Sequence, residues 1–244
     1  MDKPKVPKYI VTEKEVKSEL ADLNKGHRQR LKDRFLEHPE SFSDSYELLE
    51  LLLTYSIPLK DVKPLAKRLL MHFHSTDAVL FAPEDILADF KDIKKNTMTL
   101  FKVFRSLYLQ ILRQKAKEGR GRNDWSAVLN YCSALVRKEV KEHFYLILLD
   151  AADNVIDIKE MDRGSVNEVS ISTREILEVL IRHNAISFAL FHNHPSGSTL
   201  PSERDLETTK EIRNVAKQVN IRLYDHFIFG PNGERSSFRQ QGYL

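Results

Sequence analysis

Only one cysteine, Cys132, occurs among the 244 residues, so the chain can form no internal disulfide and cannot supply a cysteine-rich structural zinc site. A reducing compartment suits such a sequence. Long hydrophobic runs are also missing. The longest apolar stretches, 48–55 and 144–149, are too short to cross a bilayer, and no membrane association is expected. Met1-Asp2-Lys3-Pro4-Lys5 leads into no apolar segment of secretory type, which makes the cytoplasm the expected location. Gly119 and Gly121 are followed by no GxGxxG or GxxxxGK[ST] pattern and preceded by no strand-like run, so the case for a phosphate-cradling loop there is weak.

Hydrophobic residues make up 41% and charged residues 30%, enough apolar material for a core in each half and too much for a disordered chain. The net charge of +3 is unevenly spread. Residues 1–124 hold 24 basic and 19 acidic side chains (net +5), residues 125–244 hold 14 and 16 (net −2). A basic excess in the first half permits nucleic-acid contact, although a solvated helical surface produces the same count.

The pattern divides the chain into a flexible arm (1–25), a helical domain (26–118), a Gly/Arg-rich linker (119–124) and a mixed α/β domain (125–244). In the helical part, Asp44-Ser45-Tyr46-Glu47 reads as a capping box opening a helix over 48–55. Segments 62–73 and 83–90 read as further helices. Over 98–117, Phe101, Phe104, Tyr108, Ile111 and Leu112 recur at helical spacing and predict one buried stripe. After Trp125 a helix over 127–136 is expected, then strands over 144–149 and 155–158 around a turn at Asp153-Asn154. Thr173 can cap a helix from Arg174 to about His183; a strand over 186–191 and a helix from Ser202 to about Val219 follow. Two short strands over 221–224 and 227–229 precede the turn Gly230-Pro231-Asn232-Gly233.

The chemistry concentrates in His192-Asn193-His194-Pro195-Ser196-Gly197 and Pro201-Ser202-Glu203-Arg204-Asp205. In extended backbone, residues i and i+2 project to the same side, so His192 and His194 can aim two imidazoles at one point. Asp205 falls in the first turn of the next helix, after a loop that can fold back. Two imidazoles and one carboxylate, leaving a fourth position for water, suit catalytic zinc; iron or manganese could use the same donors. Ser202-x-x-Asp205 fits a helix-capping box equally well. Asn193, Pro195 and Gly197 read as residues that shape the loop, and Asp225 and His226 as partners for a ligand imidazole or as strand stabilisers. His72-x-His74 is a second His-x-His, but on a helix residues i and i+2 diverge, so no site is expected there.

The full pattern H-x-H-x7-S-x2-D, carried by His192, His194, Ser202 and Asp205, resembles the JAMM (JAB/MPN-type) metal-dependent hydrolases. The string from His192 to Gly197 with Pro201-Ser202 is similar to the RadC branch of that superfamily. Gly164-Ser165, Thr173-Arg174-Glu175, Asp225-His226 and the tail from Ser237-Phe238 to Gly242-Tyr243-Leu244 fall in the same order. The resemblance implies an α+β fold: a helix-hairpin-helix-like N-terminal domain, then a central mixed sheet flanked by helices in cytidine-deaminase-like layers. It implies Zn2+ on His192, His194 and Asp205, with Glu142 as general base and Ser202 as oxyanion donor in hydrolysis of a peptide or isopeptide bond. Glu139 competes with Glu142 for the base.

The family's hairpin turn often carries glycines that let backbone N–H groups approach DNA phosphate. The matching turn here, Asp92-Ile93-Lys94, has none; side chains block that approach and Asp92 repels phosphate. Lys94, Lys95 and Lys102 leave weak DNA contact as an expectation. Three roles therefore stand: a metallopeptidase acting on a peptide or protein substrate, a DNA-repair accessory protein, and a scaffold. The scaffold role is weakened because no ligand has been lost.

Overall fold

In the computed structural model, residues 26–42, 46–118, 125–137, 139–163 and 172–244 are described. The expected arm (1–25), linker (119–124), Asp44 of the capping box and Gly164-Ser165 lie outside them. The chain forms two compact units that divide between Phe104 and Arg105, inside a continuous helix.

The first unit is helical. It contains α1 (residues 26–37), a 3-10 turn at Pro39–Phe42, α2 (Tyr46–Ser56), α3 (Lys63–Phe73), α4 (Thr76–Leu80), α5 (Glu84–Ala88) and the start of α6 (Lys95–Glu118). Leu49 and Leu53 of α2, Leu65 and Leu69 of α3, Val79, Ile93 and Phe101 form its core, which follows from their three- and four-residue spacing. Pro64 sits in the first turn of α3, where its missing N–H costs nothing, and Ser75 caps α4 by accepting from Ala78 N.

The stripe expected to be buried along α6 is only partly so. Phe101 is 2% exposed, but Phe104, Tyr108 and Ile111 are 42%, 48% and 53% exposed. Leu109, Leu112 and Ala116 pack into the second unit's core instead. At 100° per residue those three lie to one side of the Phe101 direction, and Phe104, Tyr108 and Ile111 to the other. The apolar arc of α6 is wider than the arc that packing covers.

The second unit adds α7 (Ser126–Val136), β1 (His143–Leu149), β2 (Val155–Arg163), α8 (Thr173–Arg182), β3 (Ser187–Asn193), α9 (Glu203–Gln218), β4 (Arg222–Phe229) and β5 (Arg235–Ser237). The sheet order is β2-β1-β3-β4-β5; β3 and β4 are parallel and the other pairs antiparallel. One face, with Tyr145, Ile147, Phe191 and Phe229, packs on α7 and α6. The other, with Phe144, Leu146, Leu190 and Leu223, packs on α8 and α9. Burial on both faces explains why β1 and β3 read as unbroken apolar runs.

β4 is one strand where the sequence suggested two. Asp225 and His226 look like an interruption, yet both are buried and satisfied within the strand. Asp225 accepts from Ser237 Oγ (2.6 Å), its neighbour His226 N (2.7 Å) and Arg239 N (3.0 Å), tying the C-terminal tail to the sheet. β5 escaped notice because its three residues, Arg-Ser-Ser, have no apolar alternation. Among the described residues no helix is long and apolar enough to cross a membrane.

Candidate metal centre

Alternation along β3 puts Phe188, Leu190 and His192 on the face covered by α8 and α9. His192 is therefore aimed at the start of α9. His194 lies just past the strand, its backbone N–H donating to Phe229 O at 2.9 Å, and points the same way. The chain then turns through Gly197, whose φ of +95° is a conformation that L side chains rarely adopt. Ser202 caps α9, and the capping box closes with Asp205 at its third position.

These elements bring His192, His194 and Asp205 together, with one donor atom from each within 4.8 Å of the others. The Nε2 atoms of the two histidines are 2.9 Å apart; Asp205 Oδ1 is 3.3 Å from His192 Nε2, and Oδ2 is 3.4 Å from His194 Nε2. Tetrahedral zinc with bonds of about 2.0–2.1 Å separates its donor atoms by roughly 3.3 Å, so the spacing fits. The donor chemistry fits as well. His194 Nδ1 lies 2.7 Å from Ser198 O, which can only accept, so in the neutral ring Nδ1 carries the proton and Nε2 keeps its lone pair. A cation among such acceptors turns mutual repulsion into attraction.

Electrostatics at the site follow from burial against these contacts. Burial holds His192 down at about 4, with Asp205 opposing it. At His194 burial is outweighed by Asp205, the Ser198 carbonyl and Glu142, and its pKa rises. Asp205 is also partly desolvated, but His194, His192 and Ser202 hold it well below the usual carboxylate range.

Glu142 lines the same cavity, of about 260 Å³, as the three donors, Phe144, Ser202 and Arg204. Its pKa is raised, first by burial and then by Asp205, against the pull of His194 and Arg204. Glu139 is held elsewhere, on Arg105 Nη2 at 3.0 Å and near His143 Nε2 at 3.5 Å. Asn193 does more than shape a loop: its Oδ1 accepts from His143 N (2.8 Å) and its Nδ2 donates to Lys141 O (2.9 Å), gripping the backbone on both sides of Glu142. Ser202 faces the cavity with its hydroxyl donating to Asp205 Oδ2 at 2.7 Å. His72 and His74 join no such group among the described residues.

Sequence reasoning missed Thr209 and left His226 between two roles. His226 Nε2 is 2.9 Å from His192 Nδ1, and its Nδ1 is 2.7 Å from Thr209 Oγ1. Burial, reinforced by His192, keeps its pKa well below the ordinary histidine value. Asp225 takes the structural role and His226 the one beside the candidate ligand His192. Thr209 could have been found as a hydroxyl one turn beyond Asp205 on the inward face of α9.

A mixed sheet between helical layers, with His-x-His at the end of a central strand and an acid in the first turn of the following helix, defines a JAB-type domain, a generally hydrolytic and zinc-binding class. Residues 122–243 match the family described as RadC-like JAB domain. A UPF0758 protein of Ruegeria pomeroyi is 36% identical over 220 residues, covering 90% of this chain and 98% of that protein. The chain belongs to the RadC family.

Proposed function

We propose that the chain is a zinc-dependent hydrolase that cleaves a peptide or isopeptide amide bond. The observation that carries this reading is the convergence of His192, His194 and Asp205 on one point of a cavity that Glu142 also lines. Bound zinc would supply Lewis acidity, polarising a carbonyl and lowering the pKa of water towards about 7. Glu142 removes a proton from the attacking water and returns it to the leaving nitrogen, a role its place on the cavity wall allows. Ser202 turns its O–H from Asp205 towards the oxyanion as charge develops there. Phe144 forms an apolar wall beside the reacting groups.

Metal content of the purified protein tests this directly. About one zinc per chain, lost in His192→Ala, is the expected result; a chain that holds no zinc after loading and desalting rules the reading out. Incubation of the zinc-loaded protein with a mixed peptide library that includes lysine isopeptides then reports whether amide bonds are cut.

A second reading, weak DNA contact through the helical unit, has one observation in its favour. Lys60 and Arg68 pair with Asp92, lowering its pKa and offsetting the charge that would repel phosphate beside Lys94. Lys102 is engaged with Glu84 at 2.5 Å. A salt-titrated binding assay on the full chain, with Lys94→Glu/Lys95→Glu as control, decides it: affinity undetectable at low salt ends this reading.

A further inference from the structure

His226 is 1% exposed, stacked on Phe238 (ring centroids 4.5 Å apart) and edge-on to Phe144 (5.8 Å), yet both of its ring nitrogens are engaged. Thr209 Oγ1, its partner at Nδ1, also lies 2.5 Å from the carbonyl oxygen of Asp205. The directions of these bonds follow from that end of the chain of contacts. A carbonyl oxygen only accepts, so the threonine hydroxyl donates its one proton to Asp205. The hydroxyl then has only lone pairs for His226, whose Nδ1–H must donate to it. A neutral imidazole with its proton on Nδ1 can only accept at Nε2, so His192 Nδ1–H donates there. His192 is left with its lone pair on Nε2, the atom that faces His194 and Asp205.

We propose that His226 and Thr209 are positioning residues for the metal centre, locking His192 in the tautomer whose Nε2 is free to bind. The inference rests on the zinc reading above and extends it to two residues outside the proposed ligand set. A metal held by His192 and Asp205 would close a ring of contacts whose other side runs through His226 and Thr209. The architecture supplies both halves. β3 and β4 are neighbours, which sets His226 beside His192, and Thr209 lies one helical turn after Asp205 on α9. The neighbouring carboxylate, Asp225, does not take this part, being committed to Ser237 and the backbone of Arg239. The partner of the ligand imidazole is thus another imidazole, which orients it without adding negative charge to the centre.

The test uses the full chain, stripped of metal and reloaded with Zn2+ or Co2+, with affinity measured by competition against a chromophoric chelator. His226→Phe keeps the aromatic packing and removes both hydrogen bonds; zinc affinity is expected to fall about 10–100-fold while the metal-free protein melts no lower than wild type. His226→Gln, which can accept and donate in place of the two nitrogens, recovers part of that loss. Thr209→Val weakens binding in the same direction, and its effect does not multiply with that of His226→Phe. In the zinc-loaded wild type, long-range 1H–15N correlation spectra place the protons on Nδ1 of both His192 and His226, a readout independent of whether any variant folds. Zinc affinity of His226→Phe within twofold of wild type, or a proton on His226 Nε2, overturns the proposal alone. A wild type that binds neither metal overturns it together with the zinc reading.

Discussion

Asn193 holds Glu142 from both sides, accepting from the N–H of the residue after it and donating to the carbonyl of the residue before it. β3 thus carries a metal-ligand candidate at His192 and, in the next residue, the clamp for the proposed base on β1. Asn193→Ala frees the 141–143 backbone without touching a donor atom. Zinc content is expected to persist while kcat falls about tenfold or more, since a misplaced base loses much of the 10²–10⁴ that acid–base catalysis contributes. Parallel loss of zinc and turnover would show that Asn193 serves the metal instead.

Glu142→Gln should retain zinc and lose turnover by about 10²-fold or more. The pH dependence follows from the sign of the shift. With its pKa above the ordinary carboxylate value, Glu142 remains protonated, and unable to act as base, to a higher pH than an exposed glutamate. That shift belongs to the metal-free protein; the positive charge of bound zinc opposes it, so the acid limb of kcat/KM should lie below the metal-free Glu142 pKa and vanish from the residual activity of the glutamine variant. For stability the sign is opposite to that of a salt-bridged acid: the folded state binds this proton more tightly, so the group's contribution falls as pH rises through its folded pKa. Melting temperature of metal-free wild type against Glu142→Gln across pH checks that direction.

Ser202 serves two roles that one pair of measurements separates. Ser202→Ala removes the helix cap, costing about 1 kcal/mol in the metal-free protein. It also removes the proposed oxyanion donor, with an expected 10²–10³ loss in kcat. Ser202→Asp restores a cap acceptor but no hydroxyl donor, so it should regain stability without regaining turnover. Recovery of both would confine Ser202 to capping.

Asp225→Ala leaves the N–H groups of His226 and Arg239 and the Ser237 hydroxyl without their acceptor inside the fold. A destabilisation of about 2–4 kcal/mol is expected by chemical denaturation. A loss under about 0.5 kcal/mol would mean that the C-terminal tail does not depend on this carboxylate.

On α6, Phe101→Ala should cost roughly 3–5 kcal/mol, whereas Tyr108→Lys and Ile111→Lys should change stability by no more than about 0.5 kcal/mol. Comparable losses at all three positions would restore the buried stripe that periodicity alone suggested.

What the sequence by itself determined was local. His192 and His194 share a side because extended residues two apart do so, and Asp205 follows in a helical turn that Ser202 announces as a cap; no contact across the fold is needed to see either. The apolar runs of β1 and β3 likewise declare a sheet covered on both faces. For the glutamate, resemblance to the family favoured Glu142 over Glu139; tertiary structure added where each lies, Glu139 on Arg105 of α6 and Glu142 along the cavity, its backbone held by Asn193 of β3. It also decided that His226, 34 residues beyond His192, meets it edge to edge, since strand order and register are properties of the whole sheet. The exposed flank of α6 belongs with these: periodicity gives the angle of a side chain about its helix, but only packing determines how far that direction is covered.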